Sequence, residues 1–237
     1  MTTLSDIGQR LDAIRARVTA ACRRAGRESR DVVIVGASKM QPVESLQEAH
    51  DNGLVVFGEN RVQEAARKAP ELPSTIDWHL LGPLQSNKAR RAVELFSTIH
   101  SIDRLKIARA VDRVAGELGV RRRGLLEVNV AGEPSKHGLA PERLLESAVA
   151  MAELENLEIV GLMAIPPFGP DPEDSRQWFR RLRTLGDQLS ERGVLPGWRG
   201  WLSMGMSADF EVAIEEGATH VRVGTSLFGP RPPREGQ

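Results

Sequence analysis

Lys39 closes the apolar run Val32-Val33-Ile34-Val35-Gly36-Ala37-Ser38, and a segment of helical character follows from Pro42. A β-branched run ended by Gly and Ser predicts a buried strand, so this amine stands at the strand's C-terminal mouth. Composition sharpens the point. Of 32 basic residues only five are lysines, Lys39, Lys68, Lys88, Lys106 and Lys136; the others are arginines. A guanidinium stays protonated and cannot form a Schiff base with a carbonyl, whereas a primary amine can. Where this Arg-rich chain keeps a lysine at a strand end, covalent amine chemistry is one reading and a lysine snorkelling to water is the other.

The elements that must position Lys39 alternate along the chain. Strands are expected at Val32–Ala37, Leu54–Phe57, Trp78–Leu81, Thr98–Ser101, Gly124–Val130, Glu158–Ala164, Trp201–Met204 and His220–Val223. Helices are expected to begin near Pro42, Asn60, Ser86, Asp103, Pro141, Glu173 and Ser207, several of them on start signals such as Ser, Asp or Pro. Eight strands, each but the last followed by a helix, predict an α/β fold: a single (β/α)8 barrel of the TIM type. An open doubly wound sheet is the rival, but the turn Ser38-Lys39-Met40-Gln41-Pro42 lacks the G-x-G-x-x-G of that fold. Leu4, Ile7, Leu11, Ile14 and Val18 recur at steps of three and four, predicting an extra N-terminal amphipathic helix over about residues 4–25, packed on the barrel or facing a partner. With no linker-like stretch, 1–237 is expected to be one domain with a frayed tail from about 230.

In such a barrel the active face is the C-terminal end of the strands. The segments there are Ser38-Lys39, Gly58-Glu59-Asn60, Gly82-Pro83-Leu84-Gln85, Asn129, Ser203-Met204-Gly205-Met206-Ser207 and Val223-Gly224-Thr225-Ser226, among others. Barrels often hold a phosphate on the loops after the seventh and eighth strands. Gly205 and Gly224 permit close backbone approach there, and Ser203, Ser207, Thr225 and Ser226 supply hydroxyls. Ordinary capping by Ser207 is an equal alternative. An amine facing a phosphate cradle suits a phosphorylated carbonyl compound held as an imine: a sugar phosphate in a class I aldolase, or pyridoxal 5'-phosphate (PLP). Arg222, alternating into the barrel on the last strand, could approach a pyridine nitrogen or pair with a barrel carboxylate such as Glu127, the pairing being the plainer expectation.

Other classes find little support. The formal net charge is zero, which favours neither nucleic acid nor a membrane surface. A single cysteine, Cys22, excludes an internal disulfide framework and suits a reducing cytoplasm. The first residues show no secretory h-region, and the longest apolar stretch, Ile159 to Phe168, is shorter than the ~18 residues of a membrane span. The five histidines lack metal-ligand spacing, and His79 is expected to line or stack within the barrel.

The ordered motifs resemble a known family. Gly36-Ala37-Ser38-Lys39, Phe57-Gly58-Glu59-Asn60-Arg61-Val62-Gln63-Glu64, Trp78-His79-Leu80-Leu81-Gly82-Pro83-Leu84-Gln85 and His100-Ser101-Ile102-Asp103 match it in sequence order. So do Glu127-Val128-Asn129-Val130, Gly161-Leu162-Met163-Ala164-Ile165-Pro166-Pro167, Leu202-Ser203-Met204-Gly205-Met206-Ser207-Ala208-Asp209 and Arg222-Val223-Gly224-Thr225. The chain resembles the pyridoxal phosphate homeostasis proteins of the YggS/PROSC type from about residue 30 to 229. The resemblance implies a fold-type III barrel like the alanine racemase N-terminal domain, with PLP as an internal aldimine on Lys39. It also implies phosphate contacts around Ser203, Gly224 and Thr225, Arg222 near the ring nitrogen, and Asn60 lining the pocket. Arg61 stands where the family usually has Tyr, and Ala164 where it usually has Thr.

Racemases of this fold pair the lysine with a tyrosine from a second domain, and this chain contains no tyrosine. Without an opposing base, proton removal on one face has no matched delivery on the other. The expected function is therefore PLP homeostasis: a non-enzymatic protein that holds, buffers or delivers the cofactor. The alternative is a racemase-like PLP enzyme. The expected partners are PLP and PLP-dependent apo-enzymes, with no nucleic acid and no membrane, for a cytoplasmic monomer.

Overall fold

The buried β-branched runs do form strands, and the computed structural model, which describes residues 5–133, 136–167 and 169–230, closes eight of them into a barrel. In chain order the elements are α1 (Ser5–Arg24), β1 (Val33–Ala37), α2 (Val43–Asp51), β2 (Val56–Glu59), α3 (Val62–Lys68) and β3 (Asp77–Leu80). They continue with α4 (Ala89–Leu95), β4 (Thr98–Ile102), α5 (Leu105–Glu117), β5 (Arg122–Glu127), α6 (Leu144–Met151) and β6 (Leu157–Met163). The circuit ends with α7 (Arg176–Arg192), β7 (Trp201–Met206), α8 (Phe210–Glu215), β8 (His220–Val223) and α9 (Thr225–Phe228). Every neighbouring pair is parallel, and β8 returns to β1 in the register Val33↔His220 to Gly36↔Val223. The expected (β/α)8 barrel is present, with one addition: β8 is followed by the short helix α9.

Side chains facing outward from the strands meet the inner faces of the helices in one continuous apolar core. The α1 stripe Ile7, Leu11, Ile14 and Val18 is buried in that core against α2, α8 and α9. Its polar edge is tied down by Arg17 to Glu211 at 3.3 Å and Arg24 to Glu215 at 2.6 Å. The stripe thus packs on the barrel; Leu4 and the tail from 231 lie outside the described residues. The lumen is separate. Leu125, Val160 and Met163 form a small cluster of their own on Trp201, and Val35, in register with Arg222, lies on the lumen side of β1. Among the described residues no helix is long and apolar enough to cross a membrane.

Candidate functional site

Lys39 follows the C-terminal end of β1 and is half-buried. Next to it, Met40 has φ 62°, the left-handed region that costs a side-chain-bearing residue about 1–2 kcal/mol. The turn is held from both sides. Glu64 Oε1 accepts the Met40 N–H at 2.6 Å, and Lys68 Nζ donates to the Ser38 carbonyl at 2.8 Å. Lys68 also donates to Glu59 Oε1 at 2.6 Å and Glu64 Oε1 at 2.8 Å, while the Ser38 hydroxyl donates to Glu59 Oε1 at 2.8 Å. The backbone groups flanking Lys39 are therefore clamped, and its amine has no partner among the described residues. Glu64 and Lys68 are four apart on α3, the spacing that brings helix side chains together. An ammonium has three donors on one small centre and here meets acceptors from three elements, which a planar guanidinium fork suits poorly. Burial pushes the Glu59 carboxyl up against the pull of Lys68. Burial also acts on Glu64, but its bonds from Lys68 and Met40 win and hold it low.

A second constellation crosses the lumen. Arg222, fully buried on β8, donates from Nη1 to the Ser203 carbonyl and hydroxyl oxygens, each at 2.7 Å, and from Nη2 to the Ala164 carbonyl at 2.9 Å. Ser203 Oγ lies 2.8 Å from His100 Nδ1, and His100 Nε2 lies 2.9 Å from His79 Nδ1. His79 Nε2 faces Asp77 Oδ2 at 3.4 Å. His220 packs beside them, its ring 4.5 Å from Trp201 and 5.9 Å from His100 between centroids. Strands β4 and β8 stand opposite each other in an eight-strand ring, so these contacts exist only through the barrel centre. Burial first, then the neighbouring imidazoles and guanidiniums, drives His100 well below its ordinary value and His220 to about 3. Both rings are neutral at physiological pH. Burial lowers Arg222 to about 10 against the pull of Asp209 and Glu127, so it remains a cation.

The expected ion pair between Arg222 and Glu127 does not form. The arginine is committed to backbone and hydroxyl oxygens of β6 and β7, and Glu127 ends β5 without an ion pair among the described residues. Burial and the charge of Asp103 push Glu127 up to about 7, opposed by Arg222. The guanidinium has five N–H donors, so its three bonds leave two uncommitted.

The loops after β7 and β8 meet each other. Ser207 Oγ accepts from the Gly224 and Ser226 N–H groups at 3.3 and 3.2 Å, so it ties two loops together instead of capping α8, whose N-cap position is Asp209. Gly224 lies against the end of β1: a Cβ there would come within 3.3 Å of the Ala37 carbonyl. This brings the Gly224–Thr225 turn beside the strand that leads to Lys39, and the Thr225 side chain is exposed. Gly82 plays the same part on the far side, where an added Cβ would sit 2.3 Å from the Asn60 carbonyl. Its absence lets the loops after β2 and β3 close over each other with Asn60 half-buried at the rim.

Residues 9–232 match the model of the alanine racemase N-terminal domain. A pyridoxal phosphate homeostasis protein of Aquifex aeolicus is 45% identical over 226 residues, which is 94% of this chain and 97% of that protein. The chain belongs to the pyridoxal phosphate homeostasis protein family. A second member, from Pseudomonas aeruginosa, is 45% identical over 96% of this chain and 97% of its own length. The structure of PipY from Synechococcus elongatus with PLP bound superposes with a TM-score of 0.82 at 39% identity, covering 94% of this chain and all of that one.

Within that family frame, the structure brings Lys39, Arg222, Gly224 and Thr225 to one end of the barrel, with Asn60 on the adjoining rim. Ser203 differs. Its side chain is fully buried in the lumen and holds Arg222 and His100, so its hydroxyl supports the site from beneath and does not face the loop cradle. Arg61 is exposed, and at Ala164 the group in use is the carbonyl. Reading the strand ends placed Glu59 there without a role and missed Lys68 and Glu64, although the retention of Lys68 in an Arg-rich chain, four residues after Glu64, was a signal. It also missed the interior chain from Asp77 to Ser203.

Proposed function

We propose that this protein binds PLP at the C-terminal mouth of the barrel, attached through Lys39, and serves to hold, buffer or deliver it. The observation that carries the reading is the clamped turn. Glu64 and Lys68 fix the backbone on both sides of Lys39 and leave the amine itself uncommitted. When bound, the cofactor supplies an aldehyde carbon open to amine attack and a conjugated ring that absorbs in the visible. The residues fit it. Arg222 has two N–H groups left for an acceptor such as a ring nitrogen, while Gly224 and Thr225 offer a close backbone turn and a hydroxyl to a phosphate. Ser207 holds the Gly224 and Ser226 N–H groups through long bonds, which a charged phosphate oxygen would replace with stronger ones. Asn60 and Gly82 shape the opposite rim.

The reading as a carrier rests on what faces the amine. The sequence has no tyrosine, so the phenolic base that two-face proton transfer would use is missing. A cytoplasmic, monomeric protein that exchanges PLP with apo-enzymes is consistent with the single buried cysteine and neutral charge. Visible absorbance of wild type and Lys39→Ala with added PLP, before and after borohydride, tests the attachment. A yellow band bleached by borohydride and lost in Lys39→Ala is the expected result. A wild type that develops no band would overturn the PLP reading, and many turnovers of alanine between its enantiomers would overturn the carrier reading.

A further inference from the structure

The lumen of a (β/α)8 barrel is ordinarily filled with layers of branched aliphatic side chains. Here it is crossed by Asp77, His79, His100, His220, Ser203 and Arg222, polar side chains that need hydrogen-bond partners where they are buried. The direction of their bonds follows from the two ends. Arginine only donates, so Ser203 Oγ is the acceptor at 2.7 Å from Nη1. The serine proton is then available to its other neighbour, His100 Nδ1 at 2.8 Å. A neutral His100 with an accepting Nδ1 carries its proton on Nε2 and donates to His79 Nδ1 at 2.9 Å. That leaves the His79 proton on Nε2, on the side of the Asp77 carboxylate 3.4 Å away, a charge contact without hydrogen-bond geometry. One polarity, running from Arg222 at the mouth towards Asp77 at the opposite pole, satisfies all three hydrogen bonds.

We propose that Asp77, His79, His100 and Ser203 are positioning residues for Arg222: they hold the Ser203 oxygen as its acceptor and so keep the guanidinium against β6 and β7, apart from Glu127. The mouth then presents a fixed cation with two uncommitted N–H groups beside an unpaired carboxyl. An aliphatic lumen would remove the hydroxyl acceptor and leave only the Ser203 and Ala164 carbonyls to hold Arg222 away from Glu127. The groups around the carboxyl agree with this. Asp103 from the loop after β4 and Arg222 from β8 are the charges that act on Glu127, with Arg104 paired to Asp103 further out. At the other end Asp77 is met by His79, by the Ser97 hydroxyl and by Arg123 at 3.7 Å. Burial would raise Asp77, but these contacts outweigh it and keep it ionised.

The test uses the cofactor-free protein, so it stands apart from the PLP reading, on which only the meaning of the array for a ligand rests. Carbon-detected NMR of labelled glutamate, with the Glu127 signal assigned by its loss in Glu127→Gln, follows the ionisation of that carboxyl. In wild type it titrates near neutral pH. In His100→Leu and Ser203→Ala the released guanidinium pairs with Glu127, and the midpoint falls by about one pH unit or more, tenfold in ionisation. His100→Asn, whose amide oxygen replaces Nδ1 as the acceptor, restores the wild-type midpoint. Should His100→Leu fail to fold, Ser203→Ala removes a single oxygen and reads the same effect. Midpoints in His100→Leu and Ser203→Ala equal to wild type would overturn the proposal, as would a fall in His100→Asn as large as in His100→Leu. Nitrogen NMR adds a second check: a proton on His100 Nδ1 would also overturn it. If wild type binds no PLP but these shifts appear, the cofactor reading fails and the array stands.

Discussion

Replacing Glu127 with glutamine should make the protein more stable, and by an amount that grows with pH. Glu127 is 8% exposed at the end of β5. Burial, with Asp103 adding to it and Arg222 opposing, raises its pKa from the ordinary 4.5 to about 7. A carboxyl whose folded value lies above its unfolded value binds its proton more tightly in the fold. Its contribution is fully present below about pH 4.5 and is lost as pH rises through about 7. Each unit corresponds to about 1.4 kcal/mol, so ionising Glu127 costs the fold about 3 kcal/mol at pH 8, about 2 at pH 6 and under about 1 at pH 5. Glutamine keeps the shape and cannot ionise. Urea unfolding of the cofactor-free protein at pH 5, 6, 7 and 8, at constant ionic strength, should therefore show the two stability curves diverging as pH rises. Loss of a packing contact or a hydrogen bond would instead add a constant offset. Parallel curves would refute the placement of Glu127 as an unpaired buried carboxyl.

Lys68→Met removes the donor shared by Glu59, Glu64 and the Ser38 carbonyl, and breaking such a buried pair costs about 3–5 kcal/mol. A loss under about 1 kcal/mol in chemical denaturation would show that the clamp is not holding the turn. Lys39→Arg keeps the charge but has no attacking amine at neutral pH, so it should bind PLP without a borohydride-sensitive band; retention of that band would move the attachment elsewhere. Gly82→Ala places a methyl 2.3 Å from the Asn60 carbonyl, which costs about 1–3 kcal/mol of overpacking and should weaken PLP binding by displacing Asn60. An unchanged melting temperature and affinity would mean that the two rim loops do not touch in solution.

Hydrophobic patterning carried the barrel well but misplaced strand ends where charge intrudes. The apolar run Leu54–Phe57 predicts a strand two residues too early, because β2 continues through Glu59, a charge that a pattern cannot place inside unless Lys68 from α3 is known to meet it. Gly124–Val130 runs past the end of β5 for the opposite reason. After Val128, whose N–H still donates to the Met163 carbonyl of β6 at 2.8 Å, the chain bonds to its own loop, with the Leu139 N–H on the Glu127 carbonyl at 2.7 Å and the Asn129 N–H on the Leu139 carbonyl at 2.9 Å. The helix α9 has four residues, too few for periodicity to register. At the site, Lys39 and the Gly224–Thr225 turn were legible because strand ends are local features. The chain from Asp77 to Arg222 was not, since its links join strands far apart in sequence. A trace of it is visible: Asp77 and His79, Trp201 and Ser203, and His220 and Arg222 are each two apart in buried strands. That is the period at which polar residues share one strand face.

Buried polar chains rarely improve stability over well-packed apolar side chains of the same volume, so the polar lumen needs a reason other than holding the barrel together. The apolar half of that lumen, Leu125, Val160 and Met163, shows that this barrel packs aliphatics where nothing else is required. The polar residues lie on strands β3, β4, β7 and β8, and the two charged ends, Arg222 and Asp77, are of opposite sign. The clamp around Lys39 follows the same logic, with an ammonium and two carboxylates joined to backbone atoms instead of to the reactive amine. In both places buried charge is used to fix the geometry of one exposed-facing group while leaving that group chemically uncommitted. A fold arranged in this way supports reversible capture of a small electrophile by Lys39, whereas sustained turnover would also require a second movable proton donor opposite the amine.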